Sequence, residues 1–280
     1  MKNYYCLVAG MPDVALDDSK LPFHVSDFKD EYLPQLAPED RKLIELFYLQ
    51  YDNQNLLNVL EQKEDNEPLP GLFTREELEE EVRAAQRDEA CTLLPEYMYR
   101  FIREYSQLKE ESNGSLPEDI LTGYYYDEAC KVKNTFVKEW FTFNQNVNNI
   151  LIALTARRFG FPPASFLVGQ GDLVHLLATS AARDFGIGSD FEQIHELMSI
   201  SELSDPVEKE RKIDLLKWNW LEEHTFFHYF SIEKIFAFLQ KLNIIERWTI
   251  VDKERGGQVF RDMIQQLKDE VEVPSEFRIK

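Results

Sequence analysis

Apolar residues recur along this chain at the three- and four-residue spacing of helix faces, with few of the alternating runs that mark strands. Ala37-Pro38-Glu39-Asp40 places a proline and two acids in a first turn. From there Leu43, Leu46, Phe47, Leu57 and Leu60 follow at helical spacing, which predicts a helix from Pro38 to about Leu60. The run NEPLPG at 66–71 breaks the pattern, and Thr74 with Glu77 then forms a capping box for the next helix. Another helix is predicted from Leu94-Pro95 to the loop SNGS. Ser115, Pro117 and Glu118 open one very long helical pattern, which Gly160-Phe-Pro-Pro stops after Phe159. A helix of that length would span over ~50 Å at ~1.5 Å per residue.

Asp190 is placed to cap FEQIHELMSI, and Ser204-Asp205-Pro206 opens VEKERKIDLLKWNWLEEHTFFHYF. Ser231 is placed to cap IEKIFAFLQKLNIIERW, with Glu233 close to a capping-box position. A last amphipathic helix is predicted from Gly257 to about Asp269. The opening YYCLVAG reads as a strand or equally as a buried helical turn.

Two stretches of this pattern resemble each other, QYDNQNLLNVL at 50–60 and NQNVNNILIAL at 144–154. Each sets a turn of amides inside an apolar helical run, although Asn competes for backbone hydrogen bonds and is a poor helix former. At an offset of 149 − 55 = 94 residues, Leu46 falls on Trp140, Phe47 on Phe141, Asp52 on Asn146 and Asn55 on Asn149. Shared apolar spacing is common to amphipathic helices; the shared polar turn points to a structural duplication. Gln50 and Gln54 fall within the apolar stripe. With Asp52, Asn55, Asn146 and Asn149 they are expected to form polar layers that fix helix register, the alternative being a wet groove.

Composition narrows the picture. The chain has 280 residues, 44% of them hydrophobic, enough for a large core. Its 51 acidic against 31 basic side chains leave a net charge of −20, which disfavours nucleic acid as a partner. Residues 61–90 carry eleven acids and four bases, the pattern of a solvated face. Cys6, Cys91 and Cys130 are widely spaced, without the pairing of a zinc ribbon or a disulfide framework. No apolar run is long enough for a membrane span or a signal, so a cytoplasmic protein is expected.

Candidate chemistry is sparse. His224 and His228 in EEHTFFH have the i, i+4 spacing of zinc ligands, but Thr225 stands where a zincin needs Glu, and two ligands do not make a site. A helical metal-dependent enzyme centred on this pair is the alternative reading; an aromatic cluster that includes both histidines is the structural one. VGQGD at 168–172 lacks the Lys-Ser/Thr of a P-loop, and Asp172 suits a helix start. No catalytic residue, metal site or cofactor site is assigned. Arg157 and Arg158 are well placed for a helix C-terminus. Arg247 beside Trp248 is placed likewise, and is a candidate interface pair because both residue types are enriched at binding hot spots.

The opening YYCLVAGMP, the segment FNQNVNNILIALTARR and above all DPVEKERKIDLLKWNWLEEHTFFHYFSIEKIFAFLQKLNIIERW resemble an uncharacterised bacterial family. Its members are typically encoded among the subunits of V-type (A/V-type) ATP synthases. There the family takes the place of the funnel-shaped component between stalk and ring, the d subunit of the eukaryotic enzyme. The resemblance implies an all-α, elongated, multi-lobed helical bundle with internal repeats. Its lobes are expected at 1–112, at 113–203 with the long helix, and at 204–280 as the segment completing the bundle. FSIEKIFAFL would be a third, diverged counterpart, without the amide turn. The implied function is non-catalytic: coupling of the central stalk to the membrane proteolipid ring, with subunits of both as partners. The chain would be cytoplasmic and peripheral to the membrane through those partners. A free-standing assembly factor of the same complex is the other option.

Overall fold

Local capping chemistry sets several of the helix starts in the computed structural model of the chain. The structure describes residues 3–16, 21, 23–63, 67–87, 89, 92–110 and 116–249. Helix α1 covers Tyr5–Ala9 and α2 Val25–Glu31. Helix α3, Pro38–Leu60, starts with its proline at N1 and Glu39 and Asp40 in the first turn, as the sequence predicts. Helix α4, Arg75–Gln86, opens on the Thr74–Glu77 capping box, and α5 covers Glu96–Glu110. Helices α6 and α7 span Pro117–Ala129 and Thr135–Phe159. Helices α8 and α9 are short, Asp172–Thr179 and Ile194–Ser201. Helix α10 is Pro206–Thr225, with Asp205 accepting the Val207 N–H as N-cap, and α11 is 232–249. Among the described residues there is no strand.

Three expectations are corrected. The single long helix of 118–159 is two, because Asn134 takes an extended conformation and its side chain accepts the Val137 N–H at 3.0 Å, capping a fresh start. The predicted stop is in place: Gly160 closes α7 in the left-handed conformation, φ +74°. Asp190 is no cap; it lies in a turn, accepts from the Ser189 hydroxyl, and α9 begins four residues later. The strand option for YYCLVAG gives way to α1. It is moored by Tyr4, whose N–H donates to the Phe230 carbonyl at 2.7 Å and whose hydroxyl donates to Asp40 at 2.5 Å. The helix predicted at Gly257–Asp269 lies outside the described residues.

Packing follows from the apolar faces. Helices α3, α4, α5 and α6 form a closed ring in which each touches the next and α6 returns to α3. Helix α7 packs on α6, α8, α9 and α10. Helix α11 is buried on several sides, with Ile232, Ile235, Phe236, Leu239, Leu242 and Ile245 in the core and Glu233, Gln240 and Lys241 buried beside them, as expected of a central helix. Phe236 meets Phe136 and Phe141 of α7, Phe238 meets Phe28 of α2, and Asn243 accepts from the Tyr51 hydroxyl of α3 at 2.7 Å. The two halves therefore share one apolar core, running from Val25 to Leu242.

Candidate functional site

The polar residues that stand out in the sequence divide between three places. The first is a pair of matching clips. Asn55 in α3 donates from Nδ2 to the Leu69 carbonyl at 3.0 Å, and its Oδ1 accepts the Leu69 N–H at 2.9 Å. Asn149 in α7 does the same to Val168, with both bonds at 2.9 Å. Each amide thus satisfies both polar groups of one residue in the loop that follows its helix, so burying that loop leaves no orphan there. The partners of these amides are loops, where helix-to-helix register layers were expected.

A glycine follows each clipped residue closely. A Cβ on Gly71 would lie 2.0 Å from Asp52 Oδ1, and one on Gly169, which has φ +83°, would lie 2.3 Å from Gln145 Nε2. Asp52 accepts the Leu72 N–H at 2.9 Å and the Phe73 N–H at 3.1 Å, while Lys29 Nζ donates to the Gly71 carbonyl at 2.8 Å. Burial pushes the Asp52 carboxyl up to about 6, against the pull of those two N–H groups and Lys29.

The remaining amides differ. Gln50 is exposed, because the face it shares with Leu43 turns outward at that height, and Gln54 is half-buried. Asn146, the counterpart of Asp52, makes no clip; it faces an open cleft of ≈ 930 Å³ with Phe191, Trp220 and His224. The stretch 94 residues further on carries two amides after all, Gln240 at the interval from Asn146 and Asn243 at the interval from Asn149. Asn243 lies 243 − 149 = 94 residues beyond Asn149, on α11, and faces α3 through Tyr51. Its separation in sequence from FSIEKIFAFL hides it among the apolar residues that follow.

The second place is Asp214, buried on α10. It accepts from the Arg247 guanidinium and, at 2.7 Å, from Trp248 Nε1. Glu210 lies 3.8 Å from the same guanidinium, and Arg211 stacks over the Trp248 ring at 5.1 Å. The two residues named as an interface candidate are thereby tied into the chain's own α10–α11 contact. The signal for Asp214 is an acid at i−4 and i−7 from Trp218 and Leu221, on the buried face of its helix.

The third place is the end of α10. The helix stops at Thr225, so His228 leaves the face that carries His224. His224 stacks on Trp220 with ring centroids 3.8 Å apart and pairs through Nδ1 with the Trp220 carbonyl. His228 lies 3.6 Å from Glu233, whose Oε1 accepts from Asn134 at 2.8 Å. Burial works against the Glu233 charge, but hydrogen bonds from Ser231 and Asn134 outweigh it and hold the carboxyl below the usual range. Among the described residues no three His, Cys, Asp or Glu side chains group as metal ligands.

Between α10 and α11 the turn exposes Phe226, Phe227, Tyr229 and Phe230, with Phe227 at 80% and Phe226 at 66% exposure. The Tyr5 ring meets Phe230 at a tilt of 45°, with centroids 4.7 Å apart, and extends the patch. Clusters of exposed aromatic rings are a mark of contact surfaces. Among the described residues no helix is long and apolar enough to cross a membrane.

The described residues thus form an all-helical bundle, with two matching asparagine clips to its loops and aromatic groups turned outward at one bend. The chain belongs to the family described as "Protein of unknown function (DUF2764)", whose model matches residues 1–271. No curated protein and no solved structure matches it.

Proposed function

We propose that this protein is a non-catalytic subunit of a V-type ATPase or ATP synthase, coupling the central stalk to the proteolipid ring. The observation that carries the reading is the matching clip of Asn55 and Asn149, which supports a repeated scaffold with α3 and α7 as corresponding helices. Asn243 stands at the same 94-residue interval on α11, in keeping with the repeated lobes that the sequence resemblance implies. The resemblance in turn supplies the partners, the stalk and ring subunits, and a place at the membrane through them. Helices joined by one core resist bending, the property a coupling element needs.

The test is affinity capture of the full chain from its native host, with the captured proteins identified by mass spectrometry. Stalk and ring subunits are expected at a constant ratio to the chain. Their repeated absence overturns the reading, and recovery only from partly assembled complexes assigns the chain as an assembly factor. Exchanging Phe226 and Phe227 for Ser is expected to weaken the capture while leaving the fold intact, since both rings are already in solvent.

A further inference from the structure

A groove crosses the end of the molecule where α7 stops and α10 starts. Its apolar half, a cavity of ≈ 550 Å³, is lined by Leu116, Leu151, Ile152, Phe159, Phe161 and Phe166. Its other half, of ≈ 880 Å³, holds Arg157, Arg158, Arg183 and Lys209. Thr155, Phe159 and Lys209 line both, so the halves are continuous. Phe159 and Phe161 are 67% and 58% exposed, and Leu116 is 61% exposed.

The charges of this groove run against those of the chain. Its acids are committed: Glu202 pairs with Arg183, Glu210 lies beside Arg247, and Asp119 accepts the Leu116 N–H of its own helix start. Arg157 is committed too, donating to the Ser180 and Ala182 carbonyls and stacking over Phe185 at 3.8 Å, which makes the 180–185 loop a fixed wall. Arg158 and Lys209 have no carboxylate partner among the described residues; Arg158 meets only the Ser201 carbonyl, at 3.5 Å. Two uncompensated cations therefore flank an exposed apolar trough in a chain of net charge −20. The other wide cleft, at Asn146, balances Lys131, Lys133 and Lys138 with four acids.

We propose that this groove docks an acidic amphipathic helix of a protein partner. The partner's apolar stripe would lie over Phe159, Phe161 and Phe166, with carboxylates along one edge meeting Arg158 and Lys209. Helix-in-groove recognition uses this division, apolar anchors for affinity and charge for orientation and partner choice. Elsewhere the acidic surface repels such a helix, so the same charges that bind also place it.

The probe is a fluorescent 18-residue peptide with Leu at i, i+3, i+4 and i+7 and Glu on its polar face, compared with the same peptide carrying Lys. Anisotropy titrations with the full chain are expected to show saturable binding of the Glu peptide, weakened by added salt, and at least tenfold weaker binding of the Lys peptide. Arg158→Glu with Lys209→Glu should invert that preference. Phe159→Ser with Phe161→Ser should weaken both peptides, with unchanged circular dichroism showing that the fold is kept. Equal affinity for the two peptides, or indifference to both pairs of substitutions, overturns the proposal. So does a homodimer in sedimentation that Phe159→Ser abolishes, or flotation with phosphatidylserine vesicles that Arg158→Glu abolishes. The outcome is separate from the ATPase reading: capture of stalk subunits that survives the groove substitutions leaves that reading standing, whatever the peptides show.

Discussion

Asn55 and Asn149, 94 residues apart on α3 and α7, hold the backbone groups of Leu69 and Val168 in the same two-bond geometry. The clipped residue lies 9 positions beyond the helix end in both copies, Leu69 after Leu60 and Val168 after Phe159, while α3 runs 5 residues past Asn55 and α7 runs 10 past Asn149. What the two copies share is thus the anchor and the reach of the loop to it, and what differs is the length of helix beyond the asparagine.

Replacing either asparagine by Ala is expected to destabilise the chain by about 1–3 kcal/mol, because two hydrogen bonds go, although Leu69 is open to water and the Val168 carbonyl keeps its bond from Gln145. Asp at either position can accept the N–H but cannot donate to the carbonyl, so it should also be costly. Urea denaturation of Asn55→Ala, Asn149→Ala and Asn149→Asp measures this. A loss below about 0.5 kcal/mol would show that water replaces the amide.

Asp52 makes stability depend on pH in an unusual direction for a carboxylate. Its folded value of about 6 lies above the ordinary 3.8, so the folded state keeps the proton over a range in which the unfolded chain has lost it. Its contribution is therefore full below pH ~4 and is lost as pH rises through about 6, by on the order of 3 kcal/mol. Wild type should lose that much stability relative to Asp52→Asn between about pH 4 and pH 7. Parallel curves for the two proteins would exclude this.

Gly71→Ala should cost about 1–3 kcal/mol, the range for overpacking a close contact. The added methyl meets the Asp52 carboxylate, which the Leu72 and Phe73 N–H groups hold in place. Combining it with Asp52→Ala should recover part of the loss, and thermal melts of the double variant read this out.

Asp214 is expected to matter more than either of its partners alone. Asp214→Ala strands the Trp248 Nε1–H and removes the carboxylate from Arg247, at about 2–4 kcal/mol. Arg247→Ala should cost less, since its side chain is half-exposed, and a double-mutant cycle should give a coupling of about 1–2 kcal/mol. Zero coupling would mean that the Trp248 bond alone holds the contact.

Much of the helical framework was legible in the sequence because its signals are local. Pro38, the Thr74–Glu77 box, Gly160 and Asp205-Pro206 each act within a few residues of the backbone groups they satisfy. The break at Asn134 was not, because 130–134 continues the helical spacing while the cap depends on one side-chain rotamer. Nor was the stop at Thr225 visible: EEHTFFH keeps helical periodicity through His228, and nothing in it names the bend. Gln50 shows the matching error on a helix face, where a stripe drawn through Leu43, Phe47 and Leu57 is too straight for α3.

The sequence by itself determined an all-helical chain, most of its helix starts, and a recurring amide turn worth explaining. Those properties follow from spacing and capping, which need only neighbours along the chain. Tertiary structure decided what the amides do and which ends of the molecule are open. Asn55 reaches Leu69, Asp214 reaches Trp248, and Phe159 comes to lie beside Lys209 only once the helices are packed. Contacts between residues distant in sequence are set by three-dimensional packing, and periodicity along one helix carries no record of which loop or helix will meet it.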